Sequence, residues 1–316
     1  MQAYLFVHFR ERTTPDGEQV YFGLSLDGFH WEKVNDGHPV LWSMLGEKGV
    51  RDCTIIRGHD GIYRIFATDL SLAYNFRNKY HFDWPTVAHH GSKCLSMWES
   101  ADLVNWSSQR LVQLGDADFG CLWAPDVFYD PMEEDYVLHW SSSHAYNGFG
   151  NMGIWCSRTR DFQSFSAPKL LYEKYDAGII DSAIYLENGK YFLFVKCDHN
   201  PETILLLQAD RAEGPYMRVE AFDESMKAIE PGLYEGATAM QLEDGRWCLF
   251  LDFYGVPGAG QGYVPFLADS LASGKFVRSD AAFSFPYGYK HGTVIPITME
   301  EYHRIHNHDW SQRDWQ

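Results

Sequence analysis

Short apolar runs separated by polar turns extend along almost the whole chain. Runs rich in Val, Ile, Phe, Tyr and Trp are divided by two-residue turn sequences such as Asp60-Gly61, Asn188-Gly189 and Asp244-Gly245. Alternating apolar and polar residues bounded by such turns are typical of antiparallel β-hairpins. Helical periodicity is almost absent, so the pattern predicts an all-β fold.

A hairpin unit repeats along the chain, and each copy begins near an acidic residue. The copies are "RDCTIIRGHDGIYRIFATD", "APDVFYDPMEEDYVLHWSS", "IDSAIYLENGKYFLFVKCD" and "YEGATAMQLEDGRWCLFLD". Their acids, Asp52, Asp126, Asp181 and Glu235, are 74, 55 and 54 residues apart, and "KHGTVIPIT" places His291 a further 56 residues on. Four-stranded units that repeat about every 50 residues are typical of β-propeller blades. Five repeats therefore predict five blades.

The last repeat is too short to form a whole blade by itself. The strand-like segments "AYLFVHFRE" and "QVYFGLSLD" near the N-terminus are expected to complete it and to close the ring. We therefore predict one domain over residues 1–316, a five-bladed β-propeller of four-stranded antiparallel blades closed by the N-terminal strand. Thr298 and Glu301 have the spacing of a helix capping box. A tail over about residues 303–316 shows neither strand nor helix pattern.

The first interval is the longest because it contains the segment 70–93, "LSLAYNFRNKYHFDWPTVAHHGSK". Connections this long are uncommon in compact domains and are often functional, so we expect this segment to form a wall of a binding site. Aromatic rings stack on the apolar faces of sugars. Trp84 in this segment, Trp123 and Tyr254 are therefore candidate sugar-binding residues.

The acids near the strand starts suggest a chemistry. The first strand of every propeller blade lines the central axis, so residues at corresponding strand starts converge. Carboxyl groups held close together have separated pKa values, which leaves one as an acid and another as a base. Glycosidases use such a pair. An aspartate at a strand start also commonly caps a turn, and Asp126, a further candidate substrate contact, has the most structural surroundings of the four.

Composition narrows the range of partners. The 316 residues carry a net charge of −17, which disfavours nucleic acid and anionic membrane surfaces. No apolar run reaches membrane-spanning length, and the N-terminus lacks a signal-peptide pattern. We expect a cytoplasmic protein, or a secreted one if the chain is a trimmed mature form. The six cysteines contain no CxxC pair and are expected to be buried free thiols.

The order of the motifs "RDC", "WAPD", "IDSAIYLENGKYFLF", "YEGA" and "KHG" resembles glycoside hydrolase family 43, the five-bladed propeller enzymes that act on arabinose- and xylose-containing glycans. The resemblance covers nearly the whole chain. It assigns the general base to Asp52, the residue that orients the acid and modulates its pKa to Asp181, and the general acid to Glu235. Cys53 and Ala237 stand where the family usually has prolines, which removes no reacting group.

The resemblance further implies an inverting enzyme, and the long segment 70–93 of the first blade predicts exo action, because such loops tend to close one end of the channel into a pocket. An α-L-arabinofuranosidase acting on arabinose-containing plant polysaccharides or oligosaccharides is the leading expectation. β-Xylosidase, arabinanase and galactosidase activities stay open, because the catalytic acids do not encode the sugar. The expected partner is thus an arabinose- or xylose-containing glycan, and no oligomeric state is predicted.

Two further residues enter through the same motifs. Arg51, beside the predicted base, is expected to orient that base or the sugar, or to pair with a neighbouring carboxylate. His291 matches a position that lies near a bound cation in related propellers. The resemblance implies no required cofactor. An axial calcium or other cation near His291 is only a secondary expectation, because calcium prefers oxygen ligands to an imidazole nitrogen.

Two other classes of protein compete with this prediction. Invertase-like propellers share an Arg-Asp pair like that of Arg51 and Asp52, but they need an N-terminal Asn-Asp-Pro motif that this chain lacks. A non-catalytic carbohydrate-binding propeller is the second alternative, because Cys53 replaces the family proline. Phosphoryl or ester chemistry has no support, since neither a glycine-rich phosphate loop nor a serine elbow occurs.

Overall fold

The computed structural model describes residues 2–10, 14–228, 233–254, 262–286 and 288–311. Within these residues the chain forms twenty β-strands and four α-helices, so the fold is mostly β where the apolar pattern predicts an all-β fold. None of the helices in the described part of the chain is long and apolar enough to cross a membrane.

Strands that follow one another in the chain pair antiparallel, mostly in sets of four. The chain begins with β1 (Gln2–His8), β2 (Tyr21–Ser25) and β3 (Glu32–Lys33). The first complete set contains β4 (Val50–Arg57), β5 (Tyr63–Asp69), β6 (Cys94–Ser100) and β7 (Arg110–Gln113). The second set contains β8 (Trp123–Asp130), β9 (Asp135–Ser142), β10 (Gly153–Thr159) and β11 (Lys169–Tyr172).

Two more sets and a final strand follow. The third set contains β12 (Ile179–Glu187), β13 (Lys190–Cys197), β14 (Thr203–Ala209) and β15 (Met217–Arg218). The fourth contains β16 (Tyr234–Gln241), β17 (Trp247–Phe253), β18 (Gly262–Ala268) and β19 (Val277–Arg278). The last strand, β20 (Gly292–Thr298), pairs antiparallel with β1 and meets β4 through one parallel residue pair.

The predicted turns connect the first two strands of the sets. Asn188 and Gly189 form the two-residue loop between β12 and β13, with φ angles of 50° and 75°. Two consecutive left-handed residues are what a type I′ hairpin turn requires, and Asn-Gly is the pair best suited to it. Gly61 and Gly245 are also left-handed in the turns after β4 and β16.

The first strands of the sets contact one another in chain order. β4 contacts β8, β8 contacts β12, β12 contacts β16, β16 contacts β20, and β20 contacts β4. Apolar side chains fill the spaces between the sets, as where Phe66 and Met97 of the first set pack with Leu138 and Trp140 of the second. The starts of these five strands are thereby held close to one another.

A β-bulge interrupts the pairing near the start of the first strand in each complete set. The register shifts between Arg51 and Thr54, Trp123 and Asp126, Ile180 and Ala183, and Glu235 and Thr238. The left-handed residues within these shifts are Asp52, Ala124, Asp181 and Gly236, with φ of 51°, 46°, 55° and 57°. Bulges re-aim the side chains of a strand. Asp52 and Asp181 thus occupy the left-handed position of their bulges. In the other two bulges, Glu235 lies one residue before that position and Asp126 lies two residues after it, so the four acids are not equivalent.

In most sets, a polar side chain near the end of the second strand accepts a hydrogen bond from the backbone of the next set. The side-chain oxygens of Thr68, Ser141 and Asp252 accept hydrogen bonds of 2.8, 3.0 and 3.0 Å from the backbone N–H groups of Ala124, Asp181 and His291. Lys196, which pairs with Ile180 at the corresponding place in the third set, carries no acceptor. The N–H of Gly236 donates instead to Asp181, at 3.3 Å.

The segment 70–93 contains regular secondary structure, although its sequence pattern suggests only a long loop. It contains α1 (Leu72–Asn75) and α2 (Trp84–His90), each begun by a side-chain cap, from Ser71 and Asp83. These helices are too short to show the periodicity that identifies a helix in a sequence.

Two further helices lie toward the C-terminus. Helix α3 (Glu220–Ala228) is not predicted by the sequence pattern, whereas α4 (Met299–His306) begins with the predicted capping box of Thr298 and Glu301. Helix α4 extends into the segment predicted as a tail, and Trp310 beyond it is buried in an apolar cluster. Most of the tail therefore packs on the domain, and residues 312–316 lie outside the described part.

Candidate active site

A cavity of about 460 Å³ lies where the first strands of the sets begin. Its lining includes the carboxyl side chains of Asp52, Asp181 and Glu235, from β4, β12 and β16. The repeat pattern predicts that all four strand-start acids converge, and the structure brings these three together around one cavity.

Asp126 is separated from this group. It lines a second, mainly apolar cavity of about 470 Å³ together with residues that include Ile55, Phe128 and Val294. Its Oδ1 accepts a hydrogen bond of 2.6 Å from the Thr54 hydroxyl. The bulge explains the separation, because Asp126 lies two residues further along its strand than the left-handed position. The predicted substrate contact of Asp126 is therefore corrected to a place outside the candidate site.

Two partners hold the Asp52 carboxylate, Thr68 on β5 and His291 just before β20. The Thr68 hydroxyl donates to Oδ2 at 2.9 Å, and Nδ1 of His291 lies 3.2 Å from Oδ1. Burial favours the neutral acid, but the hydrogen bond and charge of His291 outweigh it and lower the pKa of Asp52. Asp52 is ionised at neutral pH, which is the state that a general base requires.

His291 forms the positive partner of this pair. Burial alone would lower its pKa, but the charges of Asp181 and Asp52 raise the pKa of His291 to about 9. A protonated imidazole has two donors and no lone pair for a metal. No group of three or more His, Cys, Asp or Glu side chains in the described residues is arranged to hold a metal ion. The residues at the predicted axial position do not fit a calcium ion.

Asp181 is connected to the backbone that carries Glu235. Its Oδ2 accepts the 3.3 Å hydrogen bond from the N–H of Gly236, the residue after Glu235. Burial raises the pKa of Asp181 to about 6; the charge of His291 opposes this shift and the charge of Glu235 adds to it. Asp181 therefore holds a proton below about pH 6 and interacts electrostatically with Glu235.

Two lysines that the sequence analysis missed flank the Glu235 carboxylate. Nζ of Lys196 lies 3.3 Å from Oε2, and Nζ of Lys290 lies 3.7 Å from Oε1. Lys290 also contacts Asp252 at 2.9 Å. Lys196 donates to the Tyr254 hydroxyl, and its Nζ lies 4.1 Å from the centre of that ring. The cavity therefore contains cationic groups that offset part of its negative charge.

The remaining predicted binding residues also line the cavity. Arg51 pairs with the buried Glu18 at 3.1 Å, which agrees with the alternative that it pairs with a neighbouring carboxylate. Trp84 and Trp123 are arranged edge to face, with ring centres 6.0 Å apart. Trp84 lies in the segment 70–93, so that segment does contribute a wall to the cavity.

The cavity combines groups suited to hydrolysis of a bond in a neutral polar ligand. It presents one ionised carboxylate, one carboxyl that titrates near pH 6, one carboxyl group beside two ammonium groups, and aromatic walls. Carboxyl groups in such different environments can act as acid and base on either side of one bond.

Comparison with known proteins agrees with this chemistry. A family profile described as "Probable glycosyl hydrolase domain", and labelled as related to glycosyl hydrolase family 43, matches residues 1–303. A curated relative, an α-L-arabinofuranosidase of Bifidobacterium longum subsp. longum, is 26% identical over 189 residues. That alignment covers 54% of this chain and only 17% of the relative.

Solved structures show a shared fold at low sequence identity. The GH43 BlXynB protein from Bacillus licheniformis aligns with a TM-score of 0.60 and 15% identity, over 92% of this chain and 54% of that one. A thermostable family-43 glycoside hydrolase aligns with a TM-score of 0.54 and 15% identity, over 80% and 81% of the two chains. An α-L-arabinofuranosidase from Lactobacillus brevis gives 0.53 and 14%, over 78% and 74%.

Proposed function

The chain belongs to the family described as a probable glycosyl hydrolase domain and related to glycosyl hydrolase family 43, and from this premise we propose that it is an inverting, exo-acting glycoside hydrolase. The observation that carries the proposal is the placement of Asp52, Asp181 and Glu235 around one cavity. The three acids come from three different sets of strands, on β4, β12 and β16.

We also propose that the fold is a five-bladed propeller closed by the N-terminal strand. The antiparallel pairing of β1 with β20 supports closure. The contacts of β4, β8, β12, β16 and β20 in a cyclic order support five blades around one axis. In that arrangement the cavity lies at the end of the axis where these strands begin.

In the proposed reaction, Asp52 is the general base and Glu235 the general acid. Asp52 removes a proton from water while the water oxygen attacks the anomeric carbon, and Glu235 donates its proton to the oxygen of the glycosidic bond that breaks. Asp52 ends protonated and Glu235 ionised, and exchange with solvent restores both groups. The hydrogen bond from Gly236 to Asp181 supports an orienting role for Asp181.

The sugar is proposed to be an α-L-arabinofuranosyl unit at the end of an arabinose-containing glycan. The similarity to two proteins named α-L-arabinofuranosidase supports this choice. The wall formed by the segment 70–93 supports action at chain ends, because it restricts the cavity on one side.

Initial rates on a panel of aryl glycosides test the proposal. The panel contains the α-L-arabinofuranoside, β-D-xyloside and β-D-galactoside, with wild type, Asp52→Asn and Glu235→Gln. The proposal expects turnover of the arabinofuranoside, its loss by orders of magnitude in Asp52→Asn, and an inverted product anomer by NMR. Turnover of another sugar would keep the hydrolase and change its glycone. Binding of a sugar by wild type without turnover would favour the carbohydrate-binding propeller.

A further inference from the structure

A group of aromatic rings continues from the cavity onto the outer surface of the segment 70–93. Trp84, which lines the cavity, is 44% exposed, and Phe82 is 65% exposed. The ring of Phe76 connects them, with centre distances of 5.2 Å to Trp84 and 5.7 Å to Phe82. Single exposed apolar residues are normal on protein surfaces, but these rings form one surface with the cavity wall.

The segment that carries these rings is firmly attached to the domain. Tyr80 and Val87 are fully buried in it, and the Tyr80 hydroxyl donates to the carboxylate of Glu47. The Ser143 hydroxyl of the second set donates to the carbonyl of Ala88 at 2.7 Å. The exposed rings are thus held on a supported structure, as a pre-organised binding surface requires.

The backbone conformation of residues 81 and 82 also directs the Phe82 side chain away from the core. His81 and Phe82 both have left-handed backbone angles, with φ of 54° and 60°. Such angles are unfavourable for residues other than glycine by about 1–2 kcal/mol each. The N–H of Phe82 donates to the carbonyl of Phe76 at 2.8 Å, which holds the turn in this conformation.

We propose that Phe82 and Trp84 form a second sugar-binding site that stacks the sugar unit next to the one held in the cavity. This inference rests on the proposed function. The cavity receives the terminal sugar, so the sugar bonded to it projects over the neighbouring wall, and Trp84 makes the two surfaces continuous. Neutral sugar rings fit this surface because their apolar faces stack on aromatic rings while their hydroxyls stay in water. The enzyme would therefore prefer oligosaccharides to glycosides with small leaving groups.

The test compares substrates that differ only in what lies beyond the scissile bond. The probes are the methyl glycosides and the homotrisaccharides of α-L-arabinofuranose, β-D-xylose and β-D-galactose, used with the wild type and with Phe82→Ala. A methyl group is too small to reach the ring. The ratio of kcat/KM for the trisaccharide to that for the methyl glycoside is expected to fall about 5- to 10-fold in Phe82→Ala, the effect of one lost aromatic contact.

Two control variants make the result specific. Phe82→Tyr keeps the ring and is expected to keep the wild-type ratio. Met132→Ala removes another large exposed side chain, 60% exposed in the turn after β8, and is also expected to leave the ratio unchanged. An unchanged ratio in Phe82→Ala, with wild-type turnover of both probes, would overturn the second site and leave the hydrolase intact. Absence of turnover of every probe by wild type would overturn both.

Discussion

The ammonium group of Lys196 lies 3.3 Å from the Glu235 carboxylate. At the corresponding position of the second strand, the other complete sets carry a side chain that accepts a hydrogen bond from a backbone N–H group. The same ammonium group contacts Tyr254 through its hydroxyl and its ring. Lys196 thereby joins the proposed acid to an aromatic wall of the cavity. When Glu235 gives up its proton, the resulting carboxylate already has a cation beside it, which stabilises the charge that develops there.

Replacement of Lys196 by Met is expected to weaken proton donation by Glu235. The rate should fall about 10- to 100-fold for substrates with poor leaving groups, which need the acid. Aryl glycosides with activated leaving groups should lose much less, because they leave without full protonation. Comparison of kcat across leaving groups of graded acidity measures the effect.

Lys190→Met provides the control, because Lys190 lies on the same strand but is exposed and pairs with Asp210. It should match wild type with every leaving group. An equal loss in Lys196→Met for good and poor leaving groups would contradict an action through Glu235.

Replacement of His291 by Asn is expected to change the pH dependence of activity. His291 lowers the pKa of Asp52 through its hydrogen bond and charge, against the effect of burial. Without that charge the pKa of Asp52 rises, so the acid limb of the kcat/KM profile should move to higher pH. His30→Asn, which removes a histidine from an exposed pair with Asp27, should leave the profile unmoved. An acid limb at the wild-type position in His291→Asn would refute this assignment.

The sequence predicted the parts of the site that lie on repeating strand starts. Asp52, Asp181 and Glu235 could be found because each begins a hairpin of recognisable pattern, and the Asn188-Gly189 turn carries its own conformational signature. Asp126 was predicted incorrectly as a substrate contact. The bulge in its strand changes which side chains face the cavity, and the pattern of apolar residues does not reveal where a bulge lies.

The cations around Glu235 could not be predicted in the same way. Lys196 follows the run Tyr191–Val195 of aromatic and apolar residues within β13, and its charge after that run was the available signal. Lys290 precedes β20 and reaches Glu235 only through the packing of one set on another. Contacts of this kind depend on tertiary structure, for which a single sequence holds no local pattern.

Replacement of Gly236 by Ala is expected to abolish activity through His291. A Cβ atom at Gly236 would lie 2.6 Å from Cγ of His291, so the imidazole would have to move from its place beside Asp52. We expect kcat/KM to fall more than about 100-fold, as for small displacements of catalytic groups. Gly245→Ala is a matched control, because Gly245 is also left-handed but has open space around its Cβ position. Both variants should lose roughly 1 kcal/mol of stability from backbone strain. Similar activities in the two variants would contradict the steric argument.

Replacement of Asp126 by Asn is expected to leave catalysis within about twofold of wild type and to change stability instead. Burial raises the pKa of Asp126 to about 6, against the opposing hydrogen bonds of Thr54 and Val127. The folded protein therefore binds this proton more tightly than the unfolded chain does. Stability must fall as pH rises from about 4 to 6, and the cost of burying the charge persists above that range.

The introduced amide would keep an acceptor oxygen for Thr54 without carrying a charge, so Asp126→Asn should be more stable than wild type above pH 6, by about 3 kcal/mol. Asp52→Asn should behave in the opposite way. Because the pKa of Asp52 is lowered on folding, its contribution is present at neutral pH and is lost as pH falls through the folded pKa. Urea unfolding of both variants and wild type between about pH 2 and 8 measures these trends, because the Asp52 contribution changes only below its ordinary pKa. Parallel pH dependences for the two variants would show that Asp52 and Asp126 do not occupy the different environments described above.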